Sequence, residues 1–522
     1  MPATTSELSA AEIACALEDF LAQHPQATIL EDGRVIFDMY SSRYSLTTER
    51  GRCLLHLWSG ERNLVRTVSA LQTRKDWLRL ETRRFGQSQP QVLELVAERD
   101  RRPPSTREAT RARYMRTLYR MLSLAFPDWT PDGFRTAADL ENSFGPAYAR
   151  GVLLRGTSAW AVIAVNSEEM QSTVDGILTL GILWLTHCRQ HAAGRRLFEG
   201  LKVIVPASTG RIVEARMPWL NSAIAKWELY ELDEKAELLE RREIHDSGNL
   251  EAELVYAFNL EAAIERFRSS INHLLGLLNP GLRAITKVRP LSAAEISFSL
   301  HGLEFARIRH GHASNSFTRQ DQITFGAGAN ETPLTPETEA LFRHLAQRLF
   351  ENRVVSGSRR NPLFRLQPER WLESVLRRDI SEIEPAIRPD VLYSQVPAFS
   401  AGDRGMLDLL AVTHSGRLAV IEVKADDDLH LPLQALDYWS RVRQLQRERA
   451  FQKHYYFPGI ELSDQPPLLY LVVPALRIHP ANEPVLRHLS AEIPWEIIGL
   501  DEHWRKTRKV VLRKRASAHS SR

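Results

Sequence analysis

The sequence predicts an α/β protein: a C-terminal mixed sheet flanked by helices, preceded by β-rich and α/β N-terminal domains. Three observations lead there. The first hundred residues read as short strand-like runs separated by turn signals. The middle alternates apolar runs with long helical patterns. The last 155 residues form a regular succession of helix, two buried strands, helix and strand. With 522 residues and 59.5 kDa, the chain is long enough for several domains. At 43% hydrophobic and 25% charged, it is neither disordered, collagen-like nor a coiled coil.

In chain order, residues 27–37 form a hairpin signal, with Asp32-Gly33 between apolar runs. Strands are expected at 53–58, 64–68 and 77–82. Pro103-Pro104 breaks the chain before a helix at 106–126. Strands follow near 152–154 and 159–165, then a helix over 170–191 and a strand at 201–205. Residues 233–278 read as mostly helical. A β-rich piece covers 295–308 and 322–326. Thr335-Pro336-Glu337 starts a helix, with Pro in its first turn. Residues 355–362 look like a linker. The resulting division is a β-rich domain 1–104, an α/β domain 105–232, a helical segment 233–290, a small α+β segment and linker 291–360, a chemistry-bearing domain 361–504 and a basic tail 505–522.

The net charge is +4 and the pI near 8.9, only mildly basic. Of the cations, 58 are Arg and 10 are Lys. The last eighteen residues hold eight basic groups and no acid, a tail able to touch a polyanion or simply to be solvated. Cys15, Cys53 and Cys188 are odd in number and far apart, which argues against a disulfide framework or a zinc site. The apolar stretch 174–185 is too short to span a bilayer, and no secretory pattern opens the sequence. A soluble cytoplasmic protein is expected.

The chemistry lies after Pro368. A helix there contains Glu373, and an extended run covers 391–399. Residues 405–413 are a buried strand interrupted by Asp408, and Ser415-Gly416 make a turn. Residues 417–425 are a second buried strand, interrupted by Glu422 and Lys424. Pro432 opens a helix with Gln434 and Tyr438, and strands are expected at 468–473 and 495–500. Buried charges are costly unless paired or metal-bound. Strand alternation puts Glu422 and Lys424 on one face, with Val423 on the other. A hairpin closed at Ser415-Gly416 brings Asp408 beside them. Two carboxylates suit Mg²⁺ or Mn²⁺, and a Lys near them can stabilise charge on an attacking water or a phosphate.

Asp408, then Glu422-Val423-Lys424 fourteen residues on, resembles the D…(D/E)xK core of the PD-(D/E)xK nuclease superfamily, the restriction-endonuclease-like fold. Gln434 and Tyr438, four apart on one helix face, resemble the QxxxY motif of its RecB-like branch. The Pro of the family name is replaced by Leu407. The resemblance covers the C-terminal domain only. It implies an Mg²⁺-dependent (or Mn²⁺-dependent) deoxyribonuclease, with Asp408, Glu422, Lys424 and Glu373 catalytic. Asp408, Glu422, the Val423 carbonyl and Glu373 would ligate metal, with Glu369, Glu382 and Glu384 as rivals to Glu373. Gln434, Tyr438 and Arg404 would contact DNA. No GxxxxGK[ST] phosphate loop is present, so a helicase activity would come from a partner. A homodimer is the other partner arrangement left open. The alternatives are a catalytically silent DNA-binding protein that retains the fold, and a scaffold whose work is done by the first 360 residues.

Residues 150–166 also look like a worn copy of 404–424. Arg150-Gly151 lies over Arg404-Gly405, and residues 160–166 lie over 418–424. Ala164 then stands at Glu422, Asn166 at Lys424 and Leu154 at Asp408. Such a copy would bind or support, since no anionic ligands remain.

Overall fold

The computed structural model describes residues 9–516 except 25–26, 32–33, 40–41, 50–51, 59–62, 75–76, 84–90, 98–103, 138–143, 193, 245–252, 255–259, 313–318, 329–331 and 401–402. The protein is of the α/β class, with four multi-stranded sheets among the described residues. It divides into two compact units, each assembled from two stretches of chain. The first comprises Met1–Arg102 and Phe258–Val375, and the second Pro103–Ala257 and Leu376–Arg522. Among the described residues, no helix is long and apolar enough to cross a membrane.

The first unit opens with a helix, Ala10–Gln23, that sequence reading did not anticipate. Its start is marked by a capping box: Glu12 N donates to Ser9 Oγ, and Ser9 N donates to the Glu12 carboxylate at 2.7 Å. Ile13, Leu17, Phe20 and Leu21 bury one face against a seven-stranded antiparallel sheet. The expected hairpin is there as Thr28–Glu31 paired with Arg34–Asp38, while Asp32-Gly33 lies outside the described residues. The second stretch of this unit folds a five-stranded antiparallel sheet around Phe298, Phe305 and Phe342.

The second unit holds two six-stranded arrangements. The upstream one follows helix α1 (Pro104–Ala125) and contains β1 (Thr130–Arg135), β2 (Tyr148–Arg155), β3 (Ser158–Val165), α2 (Gln171–His191), β4 (Leu197–Pro206), α3 (Arg211–Arg216), β5 (Lys226–Asp233) and β6 (Leu238–Arg242). The downstream one contains β7 (Ile387–Ser400), β8 (Asp403–Thr413), β9 (Leu418–Val423), α4 (Leu431–Arg447), β10 (Leu468–Pro474), α5 (Asn482–Leu486), β11 (Trp495–Leu500) and β12 (Val510–Arg515). In each sheet the strands lie side by side in chain order; the two-residue strand Glu253–Leu254 adds to the β7 edge. Parallel pairs need a crossover, and α2 and α4 supply it.

The upstream sheet is buried on both faces. Tyr114, Leu118 and Leu122 of α1 pack on Val162, Ala164 and Ile204. The opposite face, through Ile163, Val203 and Leu229, shares one continuous core with Val420, Leu471, Leu436 and Trp439 of the downstream half.

Three expectations need correction. The helical reading of 233–290 fails at its start, where β5 ends and β6 pairs with it. Leu238-Leu-Glu-Arg-Arg242 has high helix propensity, but the unpaired edge of β5 captures it. The basic tail is not free along 510–515, which is the edge strand β12. Arg513 pairs with Glu384 at 2.8 Å and Glu496 at 2.5 Å, Arg515 with Glu496 at 2.7 Å, and Lys514 with Glu483 at 2.5 Å. Finally, Leu154 pairs with Ala159 at the turn end of its hairpin, so it does not occupy the position of Asp408.

Candidate functional site

The β8–β9 hairpin closes on Gly416, whose φ of +79° suits glycine. A Cβ there would also meet the Glu461 carbonyl at 2.2 Å. Thr413 N donates to Arg417 O at 2.8 Å, and Gly416 N to Thr413 O at 3.0 Å. This turn sets the register Val412↔Leu418, Leu410↔Val420 and Leu409↔Ile421. Carried one pair further, that register faces Asp408 with Glu422. There the Asp408 side chain takes over from the ladder: Val423 N donates to Asp408 Oδ2 at 3.1 Å.

Leu418 and Val420 point into the core beneath α4, so alternation sends Glu422 and Lys424 to the same side. Burial loosens along the strand. Glu422 is 4% exposed, whereas Asp408 and Lys424 are half-buried. Lys424 lies one residue beyond β9, but its N–H still donates to Val472 O at 3.1 Å. Its ammonium reaches Asp428 at 3.6 Å. Val423, 1% exposed, has its side chain on the opposite face, and its backbone N is tied to Asp408.

Helix α4 begins after His430 with Pro432 in its first turn. Leu433, Leu436 and Trp439 bury its core side. The Tyr438 phenol is pushed well above its ordinary pKa, first by burial and then by the charges of Glu422 and Asp408, with Lys424 and Arg441 opposing. Tyr438 is therefore neutral at any physiological pH and shares its surroundings with all three strand residues. Gln434 lies one turn earlier on α4 and is half-buried.

The structure thus brings together Asp408, Glu422, Lys424 and Tyr438, with Gln434 on the same helix. Arg404 is on β8, but its side chain lies outside the described residues. Glu373 belongs to the first unit, on the helix Pro368–Leu376; it is 5% exposed and pairs with Arg370 at 3.0 Å. Asp428 and Arg441 were missed in the sequence. Arg441 follows Tyr438 by three residues, a helical-neighbour spacing that could have flagged it. Asp428 follows Lys424 by four within an acidic run.

Two carboxylates and a backbone carbonyl are hard oxygen donors, and Mg²⁺ characteristically keeps several waters alongside one or two carboxylates. The donor set fits such an ion. Among the described residues, no cluster of three or more His, Cys, Asp or Glu forms a fuller metal cage.

No family model matches the chain, and no curated protein matches it. Among solved structures it is similar to a repair endonuclease from Pyrococcus abyssi. That likeness is 10% identical, covers 44% of this chain and 96% of the other, and has a TM-score of 0.17. A likeness that weak does not bear on function.

Proposed function

We propose that the second unit is a metal-dependent nuclease that hydrolyses phosphodiester bonds in DNA. The observation that carries this reading is the convergence of Asp408, Glu422, Lys424 and the neutral Tyr438 phenol at the open end of an otherwise apolar strand. A structural ion pair would not need two facing carboxylates, since neighbouring like charges repel.

Asp408, Glu422 and the Val423 carbonyl, all of the second unit, would hold Mg²⁺ or Mn²⁺. An ion held there would supply a water of lowered pKa and neutralise phosphate charge. Lys424, steadied by Asp428, orients that water and offsets negative charge as it develops. Tyr438 keeps its proton and donates a hydrogen bond to a phosphate oxygen. Gln434 would grip the strand alongside, and Arg404 is the proposed phosphate contact from β8. Affinity for DNA falls as salt rises, because phosphate contacts dominate it.

The test is cleavage of labelled single-stranded, duplex and branched DNA with Mg²⁺ or Mn²⁺, comparing wild type with Lys424→Ala. Cleavage by wild type alone is expected, and equal cleavage by both refutes the assignment. A second reading draws on the two-carboxylate donor set: a catalytically silent DNA-binding protein. It predicts no cleavage by either protein and salt-sensitive DNA binding by both.

A further inference from the structure

The two halves of the second unit share more than strand order. In both, strands one to three are antiparallel neighbours. Strands three, four and five are parallel, and strand six turns back antiparallel. A long helix links the third strand to the fourth in each, and a short one links the fourth to the fifth. The residue register agrees as well. Pro206 and Pro474 end the fourth strands, opposite Leu232 and Leu500. Trp227-Glu228 follows Lys226 at the start of one fifth strand and Trp495-Glu496 opens the other, with the tryptophans opposite Leu201 and Leu469.

This register fixes which upstream residues stand at the site. Glu422 neighbours Leu471, and the upstream equivalent of Leu471 is Val203, which neighbours Ile163. Ile163 in turn faces Arg150 on β2, as Glu422 faces Asp408. The counterparts of Asp408, Glu422 and Lys424 are therefore Arg150, Ile163 and Val165. Ala164 and Asn166, matched to the site by sequence alone, are one residue out of step; Ala164 belongs to the α1 face. Arg150 is 1% exposed, donates to Ala137 O at 2.7 Å and lies over the Phe144 ring. A buried cation and two aliphatic side chains cannot ligate a metal ion.

The halves also meet reciprocally. Helix α2 packs on α5, and α4 packs on α3. The loops before β5 and β11 pair antiparallel: Asn221 N donates to His488 O at 2.8 Å, and Ser490 N to Trp219 O at 2.7 Å. Matching patches contacting each other in both directions is the signature of a two-fold, isologous interface. Here it lies within one chain.

We propose that the second unit is a fused pair of nuclease-like domains with a single cutting site, the upstream half occupying the place of a second copy. This rests on the nuclease reading for its cleavage consequence and on the duplication for its assembly consequence. The surface of α4 and α5 that would mate with another protomer is already covered. The protein therefore works as a monomer and incises one strand of a duplex per encounter.

The test combines light scattering with plasmid cleavage. A particle of one chain, 59.5 kDa, is expected. Supercoiled plasmid goes to open circles at a rate first order in protein. A large excess of Lys424→Ala, at saturating plasmid, leaves the rate per wild-type molecule unchanged. A dimeric particle, linear product formed in one encounter, or suppression by the inactive variant overturns the proposal. Absence of cleavage by wild type sinks the nuclease reading instead; the particle mass then still decides the assembly claim.

Discussion

Asp408 has two separable tasks, and two substitutions pull them apart. One oxygen accepts from Val423 N at 3.1 Å, where the strand residue is 1% exposed. Asp408→Ala removes that acceptor and leaves a buried N–H unmade, a cost of about 1–3 kcal/mol. In a domain of this size, each kcal/mol lowers Tm by about 2–4 °C. Asp408→Asn keeps an acceptor of the same shape and removes one of two facing negative charges. Without metal it should be at least as stable as wild type. Metal reverses the order. An ion bound only by the folded state at about ten times its Kd stabilises wild type by about 1.4 kcal/mol. Asp408→Asn should show no such gain. Most of the tryptophans lie in the second unit, so intrinsic fluorescence during heating reports on it. The reasoning fails if the Asn variant melts as low as the Ala variant, or if it keeps the full Mg²⁺ shift.

Other consequences can be checked alongside. Burial raises the pKa of Tyr438, Tyr230 and Tyr470, so the unfolded chain ionises first and stability falls as pH rises past about 10. Tyr438→Phe should make that fall shallower by up to about 1.4 kcal/mol per pH unit, read from urea midpoints at neutral and alkaline pH, while cleavage at neutral pH drops several-fold. Arg216 forks onto Asp437 at 2.9 and 2.7 Å and donates to Asp175 O at 2.7 Å. Arg216→Ala should cost about 2–3 kcal/mol, measured by denaturant unfolding, because the pair is mostly buried. Arg216→Lys should recover little of it, since an ammonium lacks the fork. Deleting 507–522 removes β12, strips Glu496 of both its arginines and should lower Tm by several degrees, about 1–3 kcal/mol in the second unit.

The strand residues of the site were readable because charge inside an apolar run is expensive. Glu422 and Lys424 stand out between Ile421, Val423 and Ala425, and period-two alternation alone puts them on one face. The turn at Gly416 then made Asp408 their neighbour. Strand β6 was not readable: Leu238 to Arg242 favours a helix locally, and only the open edge of β5 makes it a strand. Strand β12 was hidden by its charge, since Arg513, Lys514 and Arg515 look like a solvated tail until Glu384, Glu483 and Glu496 are in place. The upstream resemblance rested on an apolar pattern whose alignment slipped, by one residue along β3 and by four along β2. Two apolar strands match almost equally well at adjacent offsets, and a one-residue slip turns every side chain to the other face. The Trp-Glu pairs and the terminal prolines, far along the chain, were needed to fix it.

The upstream half can matter to the chemistry without contributing a ligand. Helix α4 carries Tyr438 and Gln434 and has two sides to satisfy. Leu436 and Trp439 seat it on its own sheet. The upstream half holds it as well. His430, at its start, meets Thr179 of α2 at 3.1 Å, Asp437 is clamped by Arg216 at the end of α3, and Trp439 stacks edge-on against Trp219 at 5.1 Å. Asp437 immediately precedes Tyr438, so that clamp restrains the rotation of the phenol about the helix axis. A side chain placed by a rigid helix, itself held at two points, loses little further entropy when it orders on a substrate. The upstream half's large buried core then has a use: it is the fixed wall against which the proposed site is aligned.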